Sequence, residues 1–182
     1  MSDFRQTADR TNPYKRGADD GFVFGGLLCA IFFGWVFSVR VPLLGLVAFG
    51  LMASVPFLIY RWLRRSYVAD GGLTLMSSLW VQGITTFTCG GMISGLVSAV
   101  YLRWIEPGFI LERVNEAIGF YSDFEGGEET ARVLQQMLDA HLMPSTIAIV
   151  IEMIMLCICS GSLLSALMAV LVRARGITKR KL

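Results

Sequence analysis

Four long apolar blocks constrain this chain more than any other feature. Each is predominantly apolar, and together they cover residues 22–39, 41–63, 73–104 and 144–172. A transmembrane helix needs roughly 20 apolar residues, because a helix rises about 1.5 Å per residue through a hydrocarbon core of about 30 Å. The blocks lack the alternation of barrel strands, so only helices can satisfy their backbone hydrogen bonds in lipid. The sequence therefore predicts an all-α membrane protein with four transmembrane helices.

The distribution of Lys and Arg predicts the orientation of these helices. Twelve of the sixteen lie in the N-terminal tail, the loop after the second block, and the C-terminus: Arg5, Arg10, Lys15, Arg16, Arg61, Arg64, Arg65, Arg173, Arg175, Lys179, Arg180 and Lys181. Because cytoplasmic segments carry an excess of basic residues, both termini are expected in the cytoplasm. The predicted domains are a cytoplasmic tail, 1–20, and a single four-helix membrane domain, 21–182, whose basic cytoplasmic end is 173–182.

Several functional classes are disfavoured by the charge pattern and the motifs. Between Ile105 and Met143 there are eight acidic residues and two basic ones, which argues against a nucleic-acid surface. All four cysteines fall in predicted helices, and the thiols of Cys157 and Cys159 point to different helix faces, so no metal site is expected. No nucleophile motif or phosphate-binding loop is present. The sequence predicts no catalytic residue and no cofactor, and hence a protein that is not an enzyme.

Small residues spaced four apart predict how the helices pack. Lipid tails are as apolar as Leu, so helices associate in membranes through close contact at small side chains. Such residues form ladders in the first, third and fourth blocks, and the packing candidates are Gly26, Gly34, Gly90, Gly91, Gly95 and Gly161. Ala30 and Ser38 continue the ladder of the first block. We expect packing within the chain first, while the same pattern leaves a homo-oligomer open.

The segment between the third and fourth blocks, 105–143, has the pattern of an external amphipathic helical hairpin. Pro107 suits the first turn of a helix, and a second helix follows a Gly-Gly turn. The residues expected to define the hairpin are Glu106, Pro107, Ile110, Val114, Leu134 and Leu138, with His141 on the face of the second helix. Apolar periodicity alone does not decide whether the hairpin lies on the bilayer, caps the bundle or docks a partner.

A polar pair is predicted near the outer interface. Glu152 is the only carboxylate inside a predicted span, and ionisable residues within membranes are costly and often functional. It precedes Arg173 by roughly 31 Å of helix, and the same rise from Gly21 along the first span reaches Arg40. We expect Arg40 and Glu152 to pair or to share a polar patch beneath the hairpin. The alternative is that each side chain reaches water separately.

The stretch from Tyr60 to Ile118 carries a family resemblance. Its motifs are Tyr60-Arg61 at the end of the second block, Gly71-Gly72 before the third, and Tyr101 with Glu106-Pro107 where the third block ends. In order and spacing they resemble the bacterial membrane family catalogued as domain of unknown function 4199, and the resemblance covers most of the chain from Gly21 onward. It implies a four-span inner-membrane protein with no assigned activity, and it supplies no catalytic residues.

Together these features predict a multi-pass protein of the bacterial inner membrane without catalytic activity. We expect an accessory or scaffold subunit of a membrane complex, surrounded by lipid and bound to a membrane-protein or peripheral partner, with no nucleic acid. One alternative is a small transporter or lipid-handling protein that uses Glu152 and Arg40. Another is an auxiliary to a lipid-linked glycosyltransferase.

Overall fold

The computed structural model describes residues 12–124, 126–140 and 144–179. These residues contain no strand and form six α-helices: α1 Pro13–Ser38, α2 Pro42–Ala69, α3 Met76–Val100, α4 Phe109–Asp123, α5 Glu128–Asp139 and α6 Thr146–Lys179. A π-helical turn, Tyr101–Ile105, extends α3. Four of these helices, α1, α2, α3 with its π turn, and α6, are long and apolar enough to cross a membrane. The predicted fold class, an all-α membrane protein with four spans, is confirmed.

Helix α1 begins inside the segment that the sequence predicts to be a tail. Asn12 caps it, because its Oδ1 accepts a hydrogen bond of 3.0 Å from the backbone N–H of Tyr14. Pro13 occupies the first helical position, where its missing N–H leaves no bond unmade. The helix therefore starts about two turns before the apolar block. Residues 1–11 and 180–182 of the predicted tails lie outside the described residues, as does His141.

A glycine turn joins α2 to α3. Asp70 caps α2, and Gly71 and Gly72 follow with φ angles of +66° and +77°, a backbone conformation that residues with a Cβ rarely adopt. The N–H of Gly72 donates to the carbonyl of Tyr67 at 2.9 Å, which satisfies a carbonyl at the helix end. The chain thus reverses over a few residues and brings the start of α3 beside the end of α2.

The chain divides into two compact units. The single membrane domain that the sequence predicts stays a prediction. The first unit comprises the residues up to Gly95 and from Ile154 onward, and the second is Leu96–Met153. In the first unit, α1, α2, and the larger parts of α3 and α6 pack around an aromatic core. Phe24 lies at its centre, 1% exposed, with its ring edge-on to Phe87 at 4.8 Å and to Trp62 at 6.4 Å.

Glycines let α1 and α3 approach each other closely within the first unit. A Cβ at Gly21 would lie 2.7 Å from the Cβ of Cys89, and one at Gly25 would lie 2.9 Å from the Cβ of Ile93. Non-bonded carbon atoms almost never approach so closely, so a side chain at either position would force its neighbours to move. Together with Gly17 they form a glycine seam, which we define as Gly17, Gly21 and Gly25 of α1 packed on α3.

The second unit contains the end of α3, its π turn, α4, α5 and the start of α6. The hydroxyl of Tyr101 donates to Oε2 of Glu106 at 2.7 Å, across the π turn. Helices α4 and α5 pack against each other, as expected of a helical hairpin. Pro107 lies in the turn before α4 rather than in its first helical turn, since α4 begins at Phe109. The side of the membrane on which the hairpin lies stays a prediction.

Candidate functional site

A polar cleft lies in the first unit, where the start of α1 meets the end of α2 and the start of α3. Its volume is about 920 Å³, within the range of about 300–1,000 Å³ typical of ligand sites. Both signs of charge line it, and its principal polar residues are Arg16, Asp19, Asp20, Arg65, Asp70 and Thr74. We call this set the polar cleft.

Arg16 and Asp70 form the best-defined contact of the polar cleft. Two nitrogens of the Arg16 guanidinium donate to the two carboxylate oxygens of Asp70 at 2.9 and 2.8 Å. Thr74 adds a hydroxyl donor to Oδ2 of Asp70 at 2.9 Å. The side chains are 22% and 15% exposed, so this two-pronged pair is screened less than a surface pair. It ties the first turn of α1 to the glycine turn that ends α2.

A second polar contact connects α1 to α3. Nε2 of Gln82 donates to Oδ2 of Asp20 at 3.0 Å, and Gln82 is only 2% exposed. One turn along, the hydroxyl of Thr86 lies 3.2 Å from the carbonyl oxygen of Gly17 and 2.9 Å from that of Gln82. The absence of a side chain at Gly17 brings this carbonyl within reach. The polar groups at this end of the seam are therefore satisfied by one another.

The remaining charges of the polar cleft face solvent. Arg65 and Asp19 both line it and are exposed. Neither His nor Cys is among its described lining residues, so the cleft shows no nucleophile paired with an imidazole base. Across the described part of the chain, no group of three or more His, Cys, Asp or Glu could hold a metal ion. The arrangement is suited to binding polar groups of either charge.

The predicted pair Arg40 and Glu152 lies elsewhere. Arg40 is exposed in the turn between α1 and α2, and Glu152 is exposed in the second turn of α6. The two residues belong to different compact units. Their pairing stays a prediction.

The predicted packing glycines divide into two groups. Gly34 lies against Ala48 of α2, Gly90 against Gly21 and Phe24 of α1, Gly91 against Cys157, and Gly161 against the ring of Phe87, while Gly95 is buried. Gly26 differs, because no described atom beyond its chain neighbours and the backbone of its own helix lies within 4 Å of the position a Cβ would take. Ala30 is exposed as well. The close approach of α1 to α3 uses the glycine seam one residue earlier, so the ladder through Gly26 does not carry this contact.

The residues predicted to define the hairpin are all within the second unit. Glu106 is half-buried beside Tyr101, and Pro107 is exposed. Ile110 and Val114 of α4 and Leu134 and Leu138 of α5 are each half-buried. Their partial burial is what an apolar stripe on two packed helices predicts.

The residues of the polar cleft were not singled out from the sequence. The sequence pattern marks Arg16 only as a basic residue of the predicted tail, and it gives Asp70 no predicted role. One signal was available: Asp20 immediately precedes the first apolar block, and Gln82 lies in the third. A polar side chain near the start of each of two spans can be satisfied by the other when the helices pack side by side.

Comparison with known proteins gives the chain a family. A family model described as "Protein of unknown function (DUF4199)" matches residues 19–174. The chain belongs to the DUF4199 family. In this DUF4199 protein the match includes all of α2 and α3 and most of α1 and α6, and it covers the polar cleft apart from Arg16. No curated protein and no solved structure gives a significant match.

Proposed function

We propose that this DUF4199 protein is a non-catalytic accessory or scaffold subunit of a complex in the bacterial inner membrane. Both termini would lie in the cytoplasm, with the acidic hairpin outside. The partner would be another membrane protein, a peripheral protein or a second copy of the chain. The observation that carries this proposal is the interior of the four-helix unit, where Asp20, Gln82 and Thr86 bond to nearby groups of the unit itself.

The threonines of α3 illustrate this closure. Thr85 and Thr88 donate to the carbonyls of Val81 and Ile84 in their own helix, both at 2.9 Å. A transport path would need polar groups that converge on a water-filled cavity. Hydroxyls bonded back to their own helix do not converge, and Phe24 and Phe87 fill the space between α1 and α3. This supports a structural role over transport.

The charges of the polar cleft support a role without catalysis. Catalytic acids and bases usually have a free position facing the substrate. Here both oxygens of Asp70 and one oxygen of Asp20 are already bonded to Arg16, Thr74 and Gln82. These groups hold three helices together, while Arg65 and Asp19 remain exposed for a partner.

Small residues on the outer faces provide the means for a partner helix to approach. Neither Gly26 of α1 nor Gly50 of α2 has a described atom within 4 Å of its Cβ position, apart from its chain neighbours and the backbone of its own helix. Large side chains around them face outward as well, such as Phe22 and Phe49, at 73% and 61% exposed. A glycine among large lipid-facing residues leaves a notch in which another helix can pack closely.

The test is the size of the protein particle extracted from native membranes in mild detergent. Gly26→Leu and Gly50→Leu place a Cβ in open space at the outer notches, so we expect one of them to release the subunit from its complex. Val23→Leu is the matched control, since Val23 is exposed on the same helix and is already large. Thermal unfolding of each purified variant checks that the fold is unchanged.

A second tagged copy distinguishes a homo-oligomer from a complex with another protein. Wild-type protein that runs as a monomer after cross-linking in intact membranes would contradict the proposal. So would a complex of unchanged size in both leucine variants, whatever the result for Val23→Leu.

A further inference from the structure

A second cavity lies between the last turns of α2 and α6, in the first unit. Its volume is about 420 Å³, within the range of about 300–1,000 Å³ found for small-ligand sites. Two arginines and two tyrosines contribute its polar groups, and a buried valine contributes an apolar wall: Arg64, Arg175, Tyr60, Tyr67 and Val172. We call this the arginine pocket.

Positive charge dominates the arginine pocket. Arg64 and Arg175 line it, and none of its described lining residues is Asp or Glu. Asp70 is adjacent to Gly71 at the rim, but its carboxylate is bonded to Arg16 and Thr74 of the polar cleft. The two guanidiniums are therefore available to an anion, in contrast to Arg16.

Arg175 is held in place by an aromatic ring. Its guanidinium carbon lies 5.6 Å from the centre of the Tyr60 ring, and its Nη1 donates to the Tyr60 hydroxyl at 3.4 Å. Since the Tyr60 oxygen accepts this bond, its own proton remains available for donation to a guest. A guanidinium has five N–H donors, and one bond to Tyr60 leaves others for a phosphate.

The spacing on α2 places the other groups on the same side of the helix. Residues three and four apart share a helix face, so Tyr60, Arg64 and Tyr67 form one row. Gly72 lies at the end of this row, where a Cβ would be 3.5 Å from the Tyr67 hydroxyl. The glycine turn therefore closes the pocket without filling it.

The surroundings indicate a guest with an apolar part. Both walls are helices that can cross a membrane, and the pocket lies near their ends rather than at mid-length. Val172 is buried within the pocket, whereas Val68 is 65% exposed at its edge. Basic pockets between transmembrane helices at the cytoplasmic interface are suited to the phosphates of lipid head groups.

We propose that the arginine pocket binds the phosphate of an anionic glycerophospholipid. Arg64 and Arg175 contact the phosphate oxygens, the Tyr60 hydroxyl donates to one of them, and the acyl chains extend along α2 and α6. This site is separate from Arg40 and Glu152 and does not depend on the scaffold function.

The experiment measures binding to the purified full chain in lipid-free detergent by native mass spectrometry. The probes are short-chain phosphatidylglycerol, matched phosphatidylcholine, glycerol 3-phosphate and inorganic phosphate. Phosphatidylglycerol is expected to bind at least about tenfold more tightly than the others. Arg64→Gln and Arg175→Gln should each weaken it about tenfold, which corresponds to one charge-assisted hydrogen bond.

Arg61→Gln and Arg173→Gln are the matched controls. Both arginines are exposed at the same ends of the same two helices and do not line the pocket. Their affinity for phosphatidylglycerol should stay within about twofold of the wild-type value, because loss of a diffuse surface charge changes binding little. Tyr60→Phe removes one oxygen and keeps the ring, and it should weaken binding severalfold even if one of the arginine variants fails to fold.

Three results would overturn the proposal. Equal losses in the control and pocket variants would indicate diffuse attraction to the basic surface. Equal affinity for phosphatidylcholine would remove the role of anionic charge. Glycerol 3-phosphate or inorganic phosphate binding as tightly as the lipid would assign the pocket to a soluble anion.

Discussion

At the residue scale, Arg16 and Asp70 connect two segments that are far apart in sequence. Exposed ion pairs contribute about 0–1 kcal/mol, and breaking a fully buried pair costs about 3–5 kcal/mol. This pair is partly buried and bidentate, so Asp70→Asn is expected to destabilise the fold by about 2 kcal/mol. Thermal unfolding in detergent micelles measures the change.

A double-mutant cycle isolates the Arg16–Asp70 interaction from other effects. Arg16→Gln alone should cost a similar amount, and the double variant should cost less than the sum of the two, because the second change leaves no charge unpaired. Arg61→Gln, at an exposed position, serves as the control. Strict additivity would mean that the observed pair contributes nothing to stability.

Ser165 presents the opposite case, a buried hydroxyl without a partner among the described residues. It is 0% exposed, lies against Gly83 of α3, and its Oγ makes no hydrogen bond. An unsatisfied buried polar group costs about 1–3 kcal/mol. Ser165→Ala should therefore raise the unfolding temperature, whereas Thr86→Val should lower it, because the Thr86 hydroxyl is bonded. A lower unfolding temperature for Ser165→Ala would show that the hydroxyl has a partner.

Individual residues also show how much of the polar cleft can be predicted from the sequence. The sequence shows that Arg16 is charged, but it does not predict the ion pair with Asp70. The two residues are 54 positions apart, and no local spacing relates them. The start of α1 could have been predicted, since Asn12 followed by Pro13 is a common way to begin a helix. A capping signal is local, whereas a tertiary ion pair depends on how whole helices meet.

At the scale of helices, the lengths of the apolar blocks predict the four spans. Which face of α1 packs against α3 is seen only in the structure. That helix has two rows of small residues at the same spacing, one through Gly21 and one through Gly26. Both satisfy the same packing rule, and only the shape of the neighbouring helix decides between them. Phe24 and Cys89 fit the row through Gly21, which left Gly26 facing outward.

Single methyl groups can test this assignment of helix faces. Gly21→Ala places a Cβ 2.7 Å from the Cβ of Cys89, so α1 and α3 must move apart at the seam. Overpacking a core typically lowers the free energy of unfolding by about 1–3 kcal/mol or more, and we expect a loss of this size here. Gly91→Ala meets the Cys157 sulfur at 3.5 Å, an ordinary contact. Because Ala favours a helix over Gly by about 1 kcal/mol, this variant should be neutral or stabilised.

Thermal unfolding in the same detergent compares the stabilities of the two alanine variants. Each differs from the wild type by one methyl group. Gly26→Ala is a third member, with open space around it. Equal stability of Gly21→Ala and Gly91→Ala would contradict the close contact between α1 and α3.

For the whole molecule, the number of membrane crossings determines which segments lie on the same side of the membrane. If all four candidate helices cross the membrane, we expect both ends of the chain on one side and the α4–α5 hairpin on the other. The orientation itself rests on charge. Arg61, Arg64 and Arg65 follow the second apolar block, while the hairpin region is acidic, so the basic ends are expected in the cytoplasm.

Two fusions test this orientation. A fluorescent protein that folds only in the cytoplasm should be bright when attached after Leu182. A phosphatase that is active only outside should be active when inserted at Gly126, an exposed turn residue.

Replacing Arg61, Arg64 and Arg65 with Glu removes the charge bias of the loop and should give a mixture of the two membrane orientations. Arg113→Glu and Arg132→Glu in the hairpin should not. One active and one inactive reporter would place both fusion points on the same side and would require an even number of crossings between them. Two inactive reporters would reverse the orientation and would place the arginine pocket at the outer surface. The orientation therefore also decides which leaflet can supply the lipid that Arg64 and Arg175 would bind.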